Sequence, residues 1–165
     1  MISRLTTSIA IALALAACGF RPLYATADGD ASGLASMALA SVEAPEAIAP
    51  IVESAFRRRT RGEASAAQYD LTVKASEQAE RLAVQIDASV TRYNYRLVAD
   101  YTLVERTTGK RYAGNVVSIA SFNVVDSQYS TLYAEEAAKE KAAAQLVEDI
   151  ERDVLLKIAA DRDKT

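Results

Sequence analysis

The clearest pattern in the chain is a strict alternation in its middle. Tyr93, Tyr95, Leu97, Ala99, Tyr101 and Leu103 share one parity, with Arg92, Asn94, Arg96, Asp100 and Thr102 on the other, which predicts a strand with one apolar, aromatic face. Thr107-Thr108-Gly109-Lys110 reads as a hairpin turn, and residues 111–125 (RYAGNVVSIASFNVV) return as the next strand. Upstream, Tyr69, Leu71, Val73 and Ala75 alternate with Asp70, Thr72 and Lys74, and then Leu82, Val84 and Ile86 alternate with Gln85 and Asp87. The inward parity changes from odd to even between Ala75 and Leu82, so a bulge or a turn lies around residues 78–81. Residues 34–43 (LASMALASVE) alternate without charge as far as Glu43 and predict the first strand, ended by Pro45.

Helical spacing appears twice. Ile48, Ile51, Val52, Ala55 and Phe56 predict a helix from about Glu46 or Ala49 to Thr60, with Pro50 tolerated in its first turn and Gly62 placed to stop it. Arg57, Arg58, Arg59 and Arg61 fall at its C-terminal end, where the helix dipole favours cations; a phosphate-binding role fits them equally well. From about Ser127 to Asp161 there is no glycine or proline, and Leu146, Val147, Ile150, Val154, Leu155 and Ile158 form a stripe. Earlier in that segment Ala137, Ala138, Ala142 and Ala143 predict a close approach to the sheet or to the first helix. A sheet with one apolar face takes helices on that side only. The expected fold is therefore an α+β two-layer sandwich, β-α-β-β-β-α, a mostly antiparallel four-stranded sheet with two helices packed on one face and a right-handed β-α-β start.

Composition narrows the chemistry. The chain has 165 residues, no histidine and one cysteine, which excludes imidazole-based hydrolases, most transition-metal sites and any disulfide within the chain. Nineteen basic against 22 acidic residues and a pI near 5.1 give no electrostatic reason to expect nucleic acid. Phosphate loops, metal clusters and meaningful carboxylate pairs are absent from the sequence, so no catalytic residue is assigned and the expected activity is non-enzymatic. The tyrosines 69, 93, 95 and 101 are expected as cross-strand core or groove lining.

The first residues reassign part of that composition. Arg4 precedes an apolar run over residues 5–17, a signal-peptide pattern too short to span a bilayer, where a helix needs about 20 residues. It ends in Leu15-Ala16-Ala17-Cys18, which resembles the bacterial lipobox: cleavage before the cysteine leaves a thiol that carries a diacylglycerol, with an N-acyl group on the freed amine. Several acyl chains give stable attachment where one would be marginal. Residues 1–17 are then a removed signal peptide, 18–33 a lipidated N-terminus and flexible tether, 34–161 the folded domain and 162–165 a short tail. Losing Arg4 takes the formal net charge from −3 to −4. Gly19, where an aspartate would favour the inner membrane, points to the outer one.

Three stretches together resemble the LptE family, the lipopolysaccharide-assembly lipoproteins. They are Cys18-Gly19-Phe20-Arg21-Pro22-Leu23-Tyr24, Thr91-Arg92-Tyr93 with Ala99-Asp100-Tyr101-Thr102-Leu103, and residues 121–130 (SFNVVDSQYS). The resemblance spans nearly the whole mature chain, the first stretch being the most specific. It implies helices against a four-stranded sheet in an outer-membrane lipoprotein facing the periplasm. It further implies an LptD-type β-barrel as partner and delivery of lipopolysaccharide to the cell surface, with no cofactor beyond the lipid on Cys18. The basic loop residues of some members find no one-to-one match here, so no lipopolysaccharide contact is carried over. Arginine's fork suits lipid A phosphates, and the candidates are Arg92 and Arg96 on the open sheet face with Lys110 and Arg111 at the hairpin. The alternative function is a periplasm-facing binding module of another envelope lipid-transport system; a hydrolase using serine or carboxylates is the more remote one.

Overall fold

In a computed structural model, which describes residues 33–60, 66–84, 91–124 and 127–162, the alternation and the helical stripes become the predicted elements. They run β1 (Met37–Glu43), α1 (Ala49–Arg59), β2 (Tyr69–Val84), β3 (Thr91–Glu105), β4 (Arg111–Val124) and α2 (Gln128–Arg162). The strands form one sheet in the order β1-β2-β3-β4, with β1 parallel to β2 and the other neighbours antiparallel. This is the expected α+β sandwich. The apolar leader, Cys18 and the tether lie outside the described residues, as do Arg61 and Gly62.

β3 is the spine of the core. Tyr95, Leu97, Ala99, Tyr101 and Leu103 are each at most 2 % exposed and are flanked in register by Leu71, Val73 and Ala75 of β2. Above them pack Val52 and Phe56 of α1 and Leu146, Val147, Ile150 and Val154 of α2, all buried. The stripe expected on α2 is in place, with two differences: Ala137 faces solvent and Leu155 is half-buried. A 3.6-residue repeat drifts around a long helix, so alanines chosen by spacing near its start need not share the face used later.

The parity change in β2 is a bulge. The strand runs unbroken through residues 78–81 and shifts register between Arg81 and Ala83. One extra residue moves the inward set from odd to even positions. Leu34 departs from expectation: it belongs to a 3-10 turn, Gly33–Ser36, ahead of β1. Its N–H donates to the buried Glu151 of α2 at 3.3 Å and its side chain is 1 % exposed. The turn lets both ends of this residue point into the helical layer, which a strand would not allow.

Pro50 sits in the first turn of α1, where its missing N–H costs nothing. The helix stops one turn before Gly62 could act, because Thr60 takes an extended conformation and gives both its N–H and its hydroxyl to Phe56 O, at 2.8 and 2.9 Å. Of the arginines there, Arg59 meets Glu151 at 2.7 Å across the two helices, while Arg57 and Arg58 bond Glu53 and Ser54 one turn back. The part of the cluster that is described holds α1 to α2 and its own last turns.

The two ends of the sandwich differ in thickness. β1 pairs with β2 as far as Lys74, and α1 is 11 residues long. Beyond that point three strands lie under α2 alone. At about 1.5 Å per residue, the 35 residues of α2 extend roughly 52 Å, enough to cover both ends.

Candidate functional site

The face of the sheet opposite the helices is built from the polar parity of each strand. Lys74, Arg92, Asp100, Asn115 and Ser121 are exposed on it. Asn115 donates to Asp100 at 2.7 Å and Ser121 to Asn94 at 2.7 Å. At the hairpin end Arg106 forks onto Asp70, with contacts from 2.7 to 3.1 Å, and donates to Ala67 O. That hydrogen-bonded fork holds the Asp70 carboxyl below its ordinary range.

The four basic candidates fall into two groups that do not converge. Arg92 and Arg96 lie on the same face of β3, and Arg96 carries a buried Nε with no hydrogen-bond partner. Lys110 and Arg111 lie at the opposite end. From Arg96 to Val104, the residue facing Arg111, is roughly 26 Å of strand at about 3.3 Å per residue. Lys110 is engaged: it bonds Asp161 near the end of α2 and lies 5.8 Å from the Tyr112 ring centroid. The tie to Asp161 raises its pKa despite some desolvation. Arg111 is exposed. Cys18 lies outside the described residues.

Two further features are built around tyrosines expected as core or groove lining, with partners from α2 that the sequence did not name. At the thin end, where α1 no longer reaches, an open groove of about 440 Å3 has a floor of Tyr93, Tyr95, Phe122 and Val124 and a rim of Glu77, Glu135 and Lys139. Tyr93 and Phe122 stack at 5.6 Å. Tyr95 donates to Glu77 at 2.8 Å, and burial with that hydrogen bond pushes its phenol well above its ordinary range. Next to the groove, on the first turns of α2, Tyr129, Leu132 and Tyr133 are 77 %, 58 % and 74 % exposed. The tyrosine parity announced the groove lining; the shortness of α1, which opens it, carries no such signal.

The second feature is a polar cluster between layers. Tyr101 donates to Asp153 at 2.5 Å, and Lys157 donates to Tyr101, Asp153 and Ala113 O at 3.0, 2.7 and 2.7 Å. Burial, helped by the bond to Asp153, pushes the Tyr101 phenol up to about 12. Burial also pushes the Asp153 carboxyl up, but bonds from Lys157 and Tyr101 outweigh it and leave it below the ordinary range. For Lys157 burial acts downward, and its bonds to Asp153 and Tyr101 outweigh it and raise it. The groups neutralise one another in place, an arrangement that fastens α2 to β3 and β4. Among the described residues no cluster of three metal-ligating side chains occurs, and no helix is long and apolar enough to cross a membrane.

This fold occurs in a solved lipoprotein structure. A protein from Caulobacter crescentus CB15, assigned as a lipoprotein, superposes with a TM-score of 0.52 at 19 % identity, covering 78 % of this chain and 94 % of that one. Two further structures match at lower TM-scores. The rare lipoprotein B of Shewanella oneidensis gives 0.47 at 11 % identity, over 74 % of this chain and 94 % of that one. A minor lipoprotein of Acinetobacter baumannii gives 0.33 at 12 % identity, over 73 % and 90 %. No protein-family model matches the chain, and no curated protein matches its sequence.

The shifted groups fix how stability depends on pH. Asp70 and Asp153 are both held below their unfolded values, so their contribution is present above about pH 4 and is lost as the pH falls through the folded pKa. Lys110 and Lys157 are raised, so their contribution is complete below about pH 10 and fades only as the pH rises past that. With no histidine in the sequence, the melting temperature should stay level from about pH 5 to 9 and fall below about pH 4. A calorimetric series checks this; a fall between about pH 6 and 7 would contradict it.

Proposed function

We propose that this chain is an outer-membrane lipoprotein, anchored on the periplasmic side through acyl chains on Cys18. In this reading it partners an LptD-type β-barrel and supports insertion of lipopolysaccharide into the outer leaflet. The observation that carries it is a coincidence of two kinds: a lipobox cysteine opening the segment CGFRPLY, and a domain with the fold of a protein assigned as a lipoprotein. The role is non-enzymatic. The anchor holds the domain within reach of its partner, and the folded surface positions it. Tyr129, Leu132 and Tyr133, projecting at the thin end, are exposed apolar side chains that would be covered on assembly. Of the four basic candidates for lipid A phosphates, Arg92, Arg96 and Arg111 are the ones available, since Lys110 is held by Asp161.

Purification of the full chain from solubilised membranes should bring a large β-barrel in a one-to-one ratio; its absence would sink the partnership. A Cys18→Ser variant should lose the lipid mass and leave the membrane fraction, and continued membrane fractionation would remove the anchor from the scheme. The double change Arg92→Glu with Arg96→Glu should weaken lipopolysaccharide binding about tenfold or more, because each arginine offers charge-assisted hydrogen bonds to phosphate. Unchanged binding would clear both residues of the role.

A further inference from the structure

We infer that the free edge of β4 is a strand-addition site for an extended segment of another protein. Among the described residues the sheet leaves three edges unpaired, the outer sides of β1 and β4 and the part of β2 beyond β1, and they are treated differently. β1 is seven residues long and its register shifts between Leu39 and Ser41. The part of β2 beyond β1 carries Glu77, Glu80 and Arg81 and shifts register between Arg81 and Ala83. Shortness, charge and bulges are the devices by which sheet edges are kept from pairing. β4 has none of them along most of its length. It pairs with β3 without a shift from Arg111 to Val124, and from Tyr112 to Val124 it contains no charged residue and no proline.

The phase of the ladder says which groups are on offer. Glu105 N–H donates to Lys110 O at 2.9 Å, and Val104 stands opposite Arg111. In an antiparallel pair this turns the main-chain groups of even-numbered β4 residues toward β3 and those of odd-numbered residues outward. Ala113 O agrees with that phase, since Lys157 reaches it from α2 at 2.7 Å and closes the start of the edge. From Asn115 to Asn123 the outward N–H and C=O groups form a row that only another extended backbone matches in spacing. Val117 and Ile119, 37 % and 51 % exposed, stand beside each other on the open face of that row. The occupant that fits is a strand of five or more residues, uncharged, with apolar side chains at alternate positions to lie against them.

A second copy of this chain fits poorly. α2 packs on β4 and, to a lesser extent, on β3, so antiparallel pairing of two copies through this edge would bring their long helices side by side on one face and crowd them. A partner strand without a helix of its own on that side meets no such crowding. This holds whether or not the barrel partnership is right.

The test is photocrosslinking of the full chain in the cells that make it, with benzoylphenylalanine at Ile119, at Asn123 and, as a control on the same face, at Lys74. The expected result is a polypeptide adduct at Ile119 and Asn123 in about fivefold or greater yield than at Lys74, its attachment point lying in an uncharged, alternating segment of the partner. Val117→Pro removes one outward N–H and no ladder bond, and should cut the yield at Asn123 about fivefold. Should that variant fail to fold, Ile119→Lys, which adds the charge the other edges carry, is expected to do the same. Equal yields at the three positions, an adduct to lipid or to a second copy, or an adduct indifferent to both substitutions would overturn the inference.

Discussion

Replacing Gly114 by valine should destabilise the domain by about 3–5 kcal/mol, combining overpacking with the loss of a buried polar cluster. Gly114 stands opposite Tyr101 in the β3–β4 register, beneath α2. A Cβ there would come within 2.6 Å of the Lys157 ammonium, the Asp153 carboxylate and the Tyr101 ring. The two charged tips can swing outward. Tyr101, 2 % exposed, cannot, and once they leave its hydroxyl has lost both partners named above. Ala113 O loses its cap in the same movement. Since domains of this size are stable by only about 5–15 kcal/mol, this removes from about a fifth to all of the stability. Urea melts of Gly114→Ala and Gly114→Val measure the effect, with the alanine milder; two values within about 1 kcal/mol of wild type would show that the layers separate more easily than the packing implies.

Phe56→Ala should cost about 3–5 kcal/mol, for a different reason. Phe56 is wholly buried and is the aromatic residue of an 11-residue helix, a length that is marginal in isolation in water. α1 is therefore helical because it is packed, and Phe56 with Val52 and Ile48 is what packs it. Truncation leaves a cavity and loosens the Arg59–Glu151 contact that ties α1 to α2. The exposed Arg58, two residues on, is the control, and Arg58→Ala should change stability by less than about 0.5 kcal/mol. Equal effects at the two positions would mean that α1 is not docked as described.

Side-chain parity made most of the sheet legible in the sequence. The alternation from Tyr93 to Leu103 names the inward face of β3, buried from Tyr95 onward with Tyr93 half-buried in the groove floor, and the parity change before Leu82 becomes the bulge at Arg81/Ala83. Parity says which face a residue occupies and nothing about what crosses to it from another layer. The bond between Arg59 and Glu151 spans 92 positions and that between Tyr101 and Asp153 spans 52, so neither could be found from local spacing. Leu34 lies in a turn and not in the first strand for the same cause, its N–H being bound by a carboxylate 117 residues away. The basic candidates lie at strand and hairpin positions, and their separation into two groups follows from the length of β3. The groove at the thin end lies beyond the start of α1, where β2, β3 and β4 run on past β1 under α2 alone; Thr60, rather than the glycine that composition favoured, ends α1 at the opposite end, next to the Arg59–Glu151 contact.

The unequal thickness of the sandwich bears on how it opens. Global stability resides where β1, α1 and Glu151 add a fourth strand, a second helix and a cross-layer anchor. Toward the start of α2 the backbone is held by three strands and the alanine-rich turns of one helix, so partial openings there expose little apolar surface and need less free energy than unfolding the whole. Amide protons should exchange fastest at that end and slowest along the middle of β3, grading the molecule from a firm half to a yielding one. Whatever binds across the yielding half contributes the missing layer. Its affinity would then depend on how much native order it must supply, and it would raise exchange protection well beyond the residues it touches.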